Sequence, residues 1–320
     1  FHAFCVRFLK DEGYVIGIPK DFIVIDEEDE LELLNEVYET FGIPGNLMKF
    51  SAAMDVIGNF KHDSNYIRDL VLTSPESLRE KALQSPDFSD KVFYGYLWAE
   101  RKIFGLDFDD VSWAAFYILD HFPSVKQKWQ ERLQYVMVDE YQDVSPLQQF
   151  VLDQWLGSRE EICVVGDPSQ TIYSFTGATS RFLTGFRERH QDATVVKLVR
   201  DDRTSPQIVE AANRLRADRT QAGLRDRTLP HWPEPLQLTS QRPAGPAVVF
   251  GECQDDEAEA GWVAQRIDEL VAEGVQPAEI AVLFRTNGQS EAFETALSAA
   301  GIGYQLRGGE RFFSRREVRD

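Results

Sequence analysis

The stretch Val136-Met137-Val138-Asp139-Glu140-Tyr141-Gln142-Asp143-Val144-Ser145-Pro146-Leu147-Gln148 decides the fold. An apolar run that ends in two carboxylates reads as a strand reaching the ligand-binding edge of a parallel sheet, where such sheets take up ligands beyond the carboxyl ends of their strands. At that edge Asp139 can hold Mg²⁺ directly or through water, and Glu140 can polarise a water that attacks a γ-phosphate. An acidic pair at a strand end can also do no more than solvate a loop; the continuation Tyr141-Gln142-Asp143 favours the site reading. The sequence contains no Gly-Lys pair, and hence no G-x-x-x-x-G-K-[ST] phosphate loop. The chain therefore carries half of a nucleotide-site signature.

Working outward, α/β alternation surrounds this stretch. Tyr135–Asp139 reads as a buried strand, Ser145–Trp155 as a helix, Ile162–Gly166 as a second buried strand and Ala193–Leu198 as a third. A second alternating block follows: helix Pro206–Arg216, strand Ala247–Phe250, helix Glu257–Glu273, strand Ile280–Phe284 and helix Gln289–Ala300. Arg225–Pro246, rich in Arg, Pro and Gln, reads as a surface connection. The alternation predicts parallel sheets with helices on their faces.

Upstream, from Glu27 to about Phe104, the spacing is helical. Leu31, Leu33, Leu34, Val37 and Phe41 fall mostly at three- and four-residue steps, and further helices are expected over Phe50–Gly58, Ser64–Leu72, Ser77–Leu83 and Ser89–Lys102. This all-helical block of roughly 80 residues fits an inserted subdomain. Asp107-Phe108-Asp109-Asp110 then caps a helix through Val111–Leu119, where carboxylates also complement the positive end of the helix dipole.

Composition bounds the class. With 320 residues, 43% of them hydrophobic, the chain can bury two ordinary cores and is globular. Its apolar runs fall far short of the ~20 residues that span a bilayer. The three cysteines, Cys5, Cys163 and Cys253, lack C-x-x-C spacing, which argues against a zinc site or a disulfide framework and fits a reducing cytoplasm. A formal charge of −19 opposes non-specific binding to a polyanion unless local basic patches overcome the field. Acidic residues cluster at Asp26–Glu32 and Asp255–Glu259. Every lysine but Lys197 precedes residue 129, whereas arginine dominates from Arg159 on. This asymmetry fits either two domains that drifted apart in composition or halves with different histories. The opening FHAFCVRFLK has no initiator methionine and no targeting pattern, so the chain is expected to be cut from a longer one.

A second constellation is Val164-Val165-Gly166-Asp167-Pro168-Ser169-Gln170-Thr171-Ile172-Tyr173-Ser174-Phe175-Thr176-Gly177-Ala178. Here a strand runs into a Gly-Asp-Pro turn, and the Gln170 amide can donate to a phosphate oxygen and accept from a water. Tyr173 and Phe175 can offer rings to single-stranded bases. Such a pair can equally fill core.

FHAF, DFDD, VDEYQDVSPLQ, VVGDPSQTIYSFTGA, DDRTSPQIVEAANRL and IAVLFRTNGQSEAFETALSAAGIGYQLRGGERFF together resemble, in order and spacing, the UvrD/Rep/PcrA-type superfamily 1 DNA helicases, over nearly the whole chain. The resemblance implies two RecA-like domains of the P-loop NTPase type, both incomplete here, that clamp ATP between them and walk along single-stranded DNA from 3′ toward 5′. It places the first domain at 1–18 and 106–194, the helical insertion at 19–105 and the second domain at 195–320. It implies Asp139 as the Mg²⁺ ligand, Glu140 as the residue activating water, Gln170 as the γ-phosphate sensor and Arg203 as the second domain's γ-phosphate arginine. A guanidinium suits that last task because it stays charged and pairs bidentately with phosphate oxygens. His2 and Phe4 lie in the motif lining the DNA groove, and Tyr173 and Phe175 match positions that contact bases. The implied cofactors are ATP and Mg²⁺, and the implied partners are single-stranded DNA, ss/ds junctions and repair proteins, in the cytoplasm and off the membrane.

Two departures stand out: Asp202 occupies the place of a usual Tyr that packs on adenine, and Thr176 that of a frequent Arg. The phosphate loop is expected upstream of Phe1 and the later motifs downstream of Asp320, so residues 1–320 alone are expected not to hydrolyse ATP. Two other readings stay open: a DNA- or protein-binding remnant without motor activity, favoured by the missing phosphate loop and Asp202 and opposed by the retained Glu140, Gln170 and Arg203, and the helicase half of a helicase–nuclease.

Overall fold

A computed structural model describes residues 1–62, 65–174, 177–221 and 236–307. The described residues divide into two compact units, one formed by Phe1–Lys197 and the other by Leu198–Asp218 and the described residues from Leu236 on.

The first unit opens with α1 (His2–Glu12), whose buried Cys5, Phe8 and Leu9 seat it in the main core. A 3-10 turn leads to β1 (Ile23–Val24), and the chain then makes a helical detour through α2 (Glu27–Phe41), α3 (Phe50–Phe60), α4 (Asn65–Leu72), α5 (Pro75–Gln84) and α6 (Phe88–Ile103). It returns as β2 (Gly105–Leu106), which pairs in parallel with β1, Ile23 opposite Gly105. The detour thus leaves and re-enters side by side. Its α2, α3 and α6 share a core of Leu34, Val37, Phe41, Ile57, Val92 and Tyr96, the apolar face that the helical spacing predicts.

From β2 the chain passes into α7 (Phe108–His121), α8 (Pro123–Arg132), β3 (Val136–Val138), α9 (Pro146–Leu156) and β4 (Ile162–Val164). Asp107 accepts from the amide of Asp110 at 2.9 Å, and Asp110 accepts from the amide of Asp107 at 3.2 Å, a reciprocal capping box that starts α7 three residues earlier than the apolar spacing suggests. Ser145 and Gln148 form the same device at the start of α9. β3 and β4 run parallel, Val136 opposite Ile162 and Val138 opposite Val164.

One face of this pair packs on Tyr141, Val144, Leu152, Phe182, Leu183 and Phe186. The other face is open, with Met137 80% exposed, so the expectation of strands buried on both sides is corrected: Val136 and Val138 turn inward while Met137 and Cys163 turn outward. Short helices α10 (Arg181–Thr184) and α11 (Phe186–Arg189) close the unit.

In the second unit β5 (Arg200–Asp201) precedes α12 (Pro206–Gln221) and pairs in parallel with β6 (Thr239–Ser240); α13 (Asp256–Ala272) and α14 (Ser290–Ala299) pack on each other around Ala264, Ile267 and Leu297. Here the strand expectations are corrected. Ala193–Leu198, Ala247–Phe250 and Ile280–Phe284 carry no ladder among the described residues; the strand pairing falls instead at 200–201 and at 239–240, inside the supposed connection. An apolar run becomes a strand only when a neighbour takes its N–H and C=O groups, and β6 has one: Thr239 N donates to Val199 O and Gln241 N to Asp201 O, both at 2.8 Å. Asn213 on α12 fixes the approach, its side chain bonding both the amide and the carbonyl of Leu238. The closing run from residue 308 and the part of the Arg225–Pro246 connection before 236 lie outside the described residues.

Candidate functional site

The carboxyl ends of β3 and β4 lie side by side, and the chain leaving each one carries the polar residues singled out in the sequence. Val165 N donates to Val138 O and Tyr141 N to Val165 O, both at 2.9 Å, which prolongs the pairing one step beyond the regular ladder. Asp139 and Glu140 sit at this edge and are exposed. Glu140 adopts φ +49°, ψ +42°, a left-handed backbone that is uncommon outside glycine and costs about 1–3 kcal/mol. Its amide is turned onto the Asp139 carboxylate at 3.0 Å.

Gln142 organises this edge, and sequence reasoning gave it no role beyond continuing a signature. It is 1% exposed. Its Nε2 donates to Glu140 Oε2 at 2.7 Å and to Asp143 Oδ2 at 3.3 Å, while its Oε1 accepts the Asp167 amide at 3.1 Å. One buried amide therefore ties the loop after β3 to the loop after β4. Gly166 makes room for it: a Cβ there would lie 2.5 Å from Gln142 Oε1 and 2.9 Å from Leu183 Cδ2. The signal available in the sequence was a glutamine flanked by carboxylates, since a buried glutamine must find partners for both ends of its amide.

Asp167 caps the turn that follows, accepting from Ser169 N at 2.9 Å and from Gln170 Nε2 at 3.2 Å, so the Gln170 side chain lies at the same edge and is exposed. Burial, reinforced by Glu140, raises the Asp143 carboxyl above its ordinary range, and its Oδ1 is buried without a hydrogen bond. Beneath the edge, buried Tyr141 donates to Gln149 Oε1 at 2.6 Å and accepts from Arg189 Nη2 at 3.0 Å.

The predicted DNA-contacting residues have different surroundings. The His2 ring lies 5.0 Å from that of Phe108 at the start of α7, and burial holds its imidazole below the ordinary range. Phe4 packs edge-on against Trp155 at 4.6 Å and Trp129 at 5.7 Å, on the margin of the main core. Tyr173 is 49% exposed. Phe175 and Thr176 lie outside the described residues.

In the second unit, Asp201 Oδ1 accepts from the amides of Arg203 and Thr204, both at 2.8 Å, and these bonds hold its carboxyl below the ordinary range. The turn presents the Arg203 side chain to solvent. Asp202 is exposed and accepts from Arg200 Nε at 3.0 Å.

Comparison with known proteins meets this geometry. Residues 1–191 match the UvrD/REP helicase N-terminal domain, and residues 196–320 match the UvrD-like helicase C-terminal domain. The chain belongs to the UvrD-like helicase family. The helicase domains imply the RecA-like α/β fold, of which the parallel pairs β3–β4 and β5–β6 are the described part. Among its relatives, the ATP-dependent DNA helicase UvrD2 of Mycobacterium tuberculosis is 48% identical over 214 residues, covering 67% of this chain and 29% of the relative. UvrD1 of the same organism is 31% identical over 335 residues, and PcrA of Staphylococcus epidermidis 27% over 324; each alignment covers 100% of this chain and 41% of the relative. The UvrD-like chain thus spans less than half the length of these relatives.

The β3–β4 edge fits a magnesium nucleotide. The exposed carboxylates of Asp139 and Glu140 offer oxygen donors there, and Mg²⁺ takes one or two carboxylates together with phosphate and water oxygens. A different carboxylate group among the described residues, Glu100, Asp107 and Asp110, brings its oxygens within 4.8 Å of one another. Lys61 occupies that position, its ammonium reaching all three. No described helix of this UvrD-like chain is long and apolar enough to cross a membrane.

Proposed function

We propose that this UvrD-like chain supplies the water-activating edge, the DNA-contacting surface and one phosphate-binding arginine of an ATP-dependent DNA helicase that moves 3′ to 5′ on single-stranded DNA. The observation that carries the reading is the Gln142 bridge. It holds Glu140 Oε2, leaves Oε1 to accept a proton from water, and locks the loop bearing Gln170 beside it. Bound Mg²⁺–ATP would supply the electrophilic phosphorus and a cation to neutralise developing charge. Asp139 would hold the metal, Gln170 would orient water or a γ-phosphate oxygen, and Arg203, an exposed cation of the second unit, would pair with phosphate.

In this reading residues 1–18 and 106–194 form the first RecA-like domain, residues 195–320 belong to the second, and 19–105 are an insertion; the adjacent β1 and β2 support the last assignment. Residues 1–320 taken alone turn over no ATP, because no Gly-Lys loop among them cradles the β- and γ-phosphates. The names of the DNA helicases it resembles support DNA as the substrate; single-strand/double-strand junctions and a role in repair or replication are part of the same proposal.

The test is DNA-stimulated ATP hydrolysis by the full-length protein. Glu140→Gln keeps the side-chain shape and removes the base, and is expected to lower kcat by about 10²-fold or more; turnover within threefold of the parent would refute the assignment.

A further inference from the structure

Lys61 ends α3 inside the protein, where its ammonium lies 2.9 Å from Glu100 Oε1, 2.5 Å from Asp107 Oδ2 and 2.9 Å from Asp110 Oδ1, with side-chain exposures of 1%, 0%, 7% and 0%. The rings of Tyr66 on α4 and Tyr96 on α6 face it at 5.6 and 5.0 Å. Burial opposes the lysine's charge, but Asp107, Asp110 and Glu100 outweigh it and hold its pKa well above the ordinary value. Breaking such a cluster is costly, yet apolar residues of equal volume would often serve stability as well or better. The arrangement therefore calls for a further reason.

The reason lies in how the carboxylates divide their oxygens. Asp107 uses Oδ1 to cap α7 and Oδ2 to bind Lys61. Asp110 uses Oδ2 to close the capping box and Oδ1 to bind Lys61. Lys61 thus grips the first turn of α7 at both ends of its cap. The residue following the cap is Phe108, whose half-exposed ring carries the His2 ring at 5.0 Å.

We propose that Lys61 is a positioning residue for DNA binding: through Asp107 and Asp110 it fixes the first turn of α7 and hence the Phe108 ring against which His2 is set. The proposal rests on the reading of His2 as a DNA contact. Glu100, from α6, completes the grip, so that the helical detour and the DNA-contacting turn move as one body.

The test is a double-mutant cycle in the full-length protein, read by fluorescence anisotropy with a labelled single-stranded oligonucleotide. His2→Ala and Lys61→Met are each expected to weaken binding about tenfold, the size of one lost ring contact to a base. The double variant is expected to bind no more weakly than the worse single one, because both remove the same contact. With Lys61→Met the DNA concentration giving half-maximal ATPase stimulation should rise while kcat at saturating DNA holds.

Lys61→Met binding within twofold of the parent, or a double variant weakened by the full product of the two losses, overturns the proposal and leaves the DNA reading standing. His2→Ala binding like the parent overturns both. Should Lys61→Met fail to fold, Lys61→Met/Glu100→Gln/Asp107→Asn/Asp110→Asn neutralises the cluster while each asparagine Oδ1 keeps a cap acceptor, and the same cycle applies to it.

Discussion

Replacing Gln142 tests whether one buried amide sets the chemistry at the strand ends. Gln142→Ala removes the 2.7 Å bond to Glu140 Oε2 and leaves the Asp167 amide without its 3.1 Å acceptor. Both bonds are partly buried, so each contributes about 1 kcal/mol, somewhat more for the one to a carboxylate. A loss of about 2–3 kcal/mol in the first unit follows, equivalent to about 5–10 °C in Tm. The effect on rate should be larger. Glu140 would lose the restraint that holds its carboxylate in a left-handed turn, and a misplacement of about 1 Å can cost about 10²-fold in kcat.

Gln142→Glu separates shape from charge. It keeps the acceptor for Asp167 but sets a carboxylate where the amide now donates to Glu140 and Asp143. At about 4 Å two like charges repel by about 1 kcal/mol in water and about 4 kcal/mol near a protein surface. A like charge disfavours the ionised base, so the acidic limb of the ATPase pH profile should move upward by about one pH unit or more. DNA-stimulated ATPase across pH 5–9, with thermal melting in parallel, checks both variants. Wild-type kcat and an unmoved acidic limb in folded Gln142→Ala and Gln142→Glu would refute the reasoning.

Two further outcomes are expected. Burial and Asp107 push the Asp110 carboxyl up from 3.8 to about 6. A raised folded-state pKa gives stability that is complete below pH 3.8 and lost as pH rises through 6, about 3 kcal/mol for this shift. Stability measured from pH 4 to 7 should therefore fall less steeply in Asp110→Asn than in the parent, and parallel curves would contradict the buried site. Tyr173→Ala should weaken single-stranded DNA binding by about 1–3 kcal/mol with the melting temperature unchanged, as for a base-stacking ring; unchanged affinity in an anisotropy titration would remove Tyr173 from the DNA surface.

How much of this was legible in advance varied with the range of the forces involved. The helices of the detour, the caps at Asp107 and Ser145 and the order β3–α9–β4 follow from local spacing and short-range hydrogen bonds, and they stand close to where the periodicity sets them. Strands beyond residue 190 were misplaced because Ala247–Phe250 and Ile280–Phe284 have the right composition but no described partner, leaving Phe250 90% and Leu283 92% exposed. Thr239 and Ser240 have unremarkable composition and a partner.

The sequence by itself determined the family, the acidic pair at the end of β3 and the residues proposed around the nucleotide, because these are written in contiguous motifs. Tertiary structure alone decided what holds them. Gln142 meets the Asp167 amide 25 residues away. Lys61, of a residue type seldom buried, lies inside the protein because chain folding brings it carboxylates 39 and 46 positions distant. Local propensity cannot encode a partner that far along the chain; only packing, which removes water from both charges at once, makes the pairing obligatory.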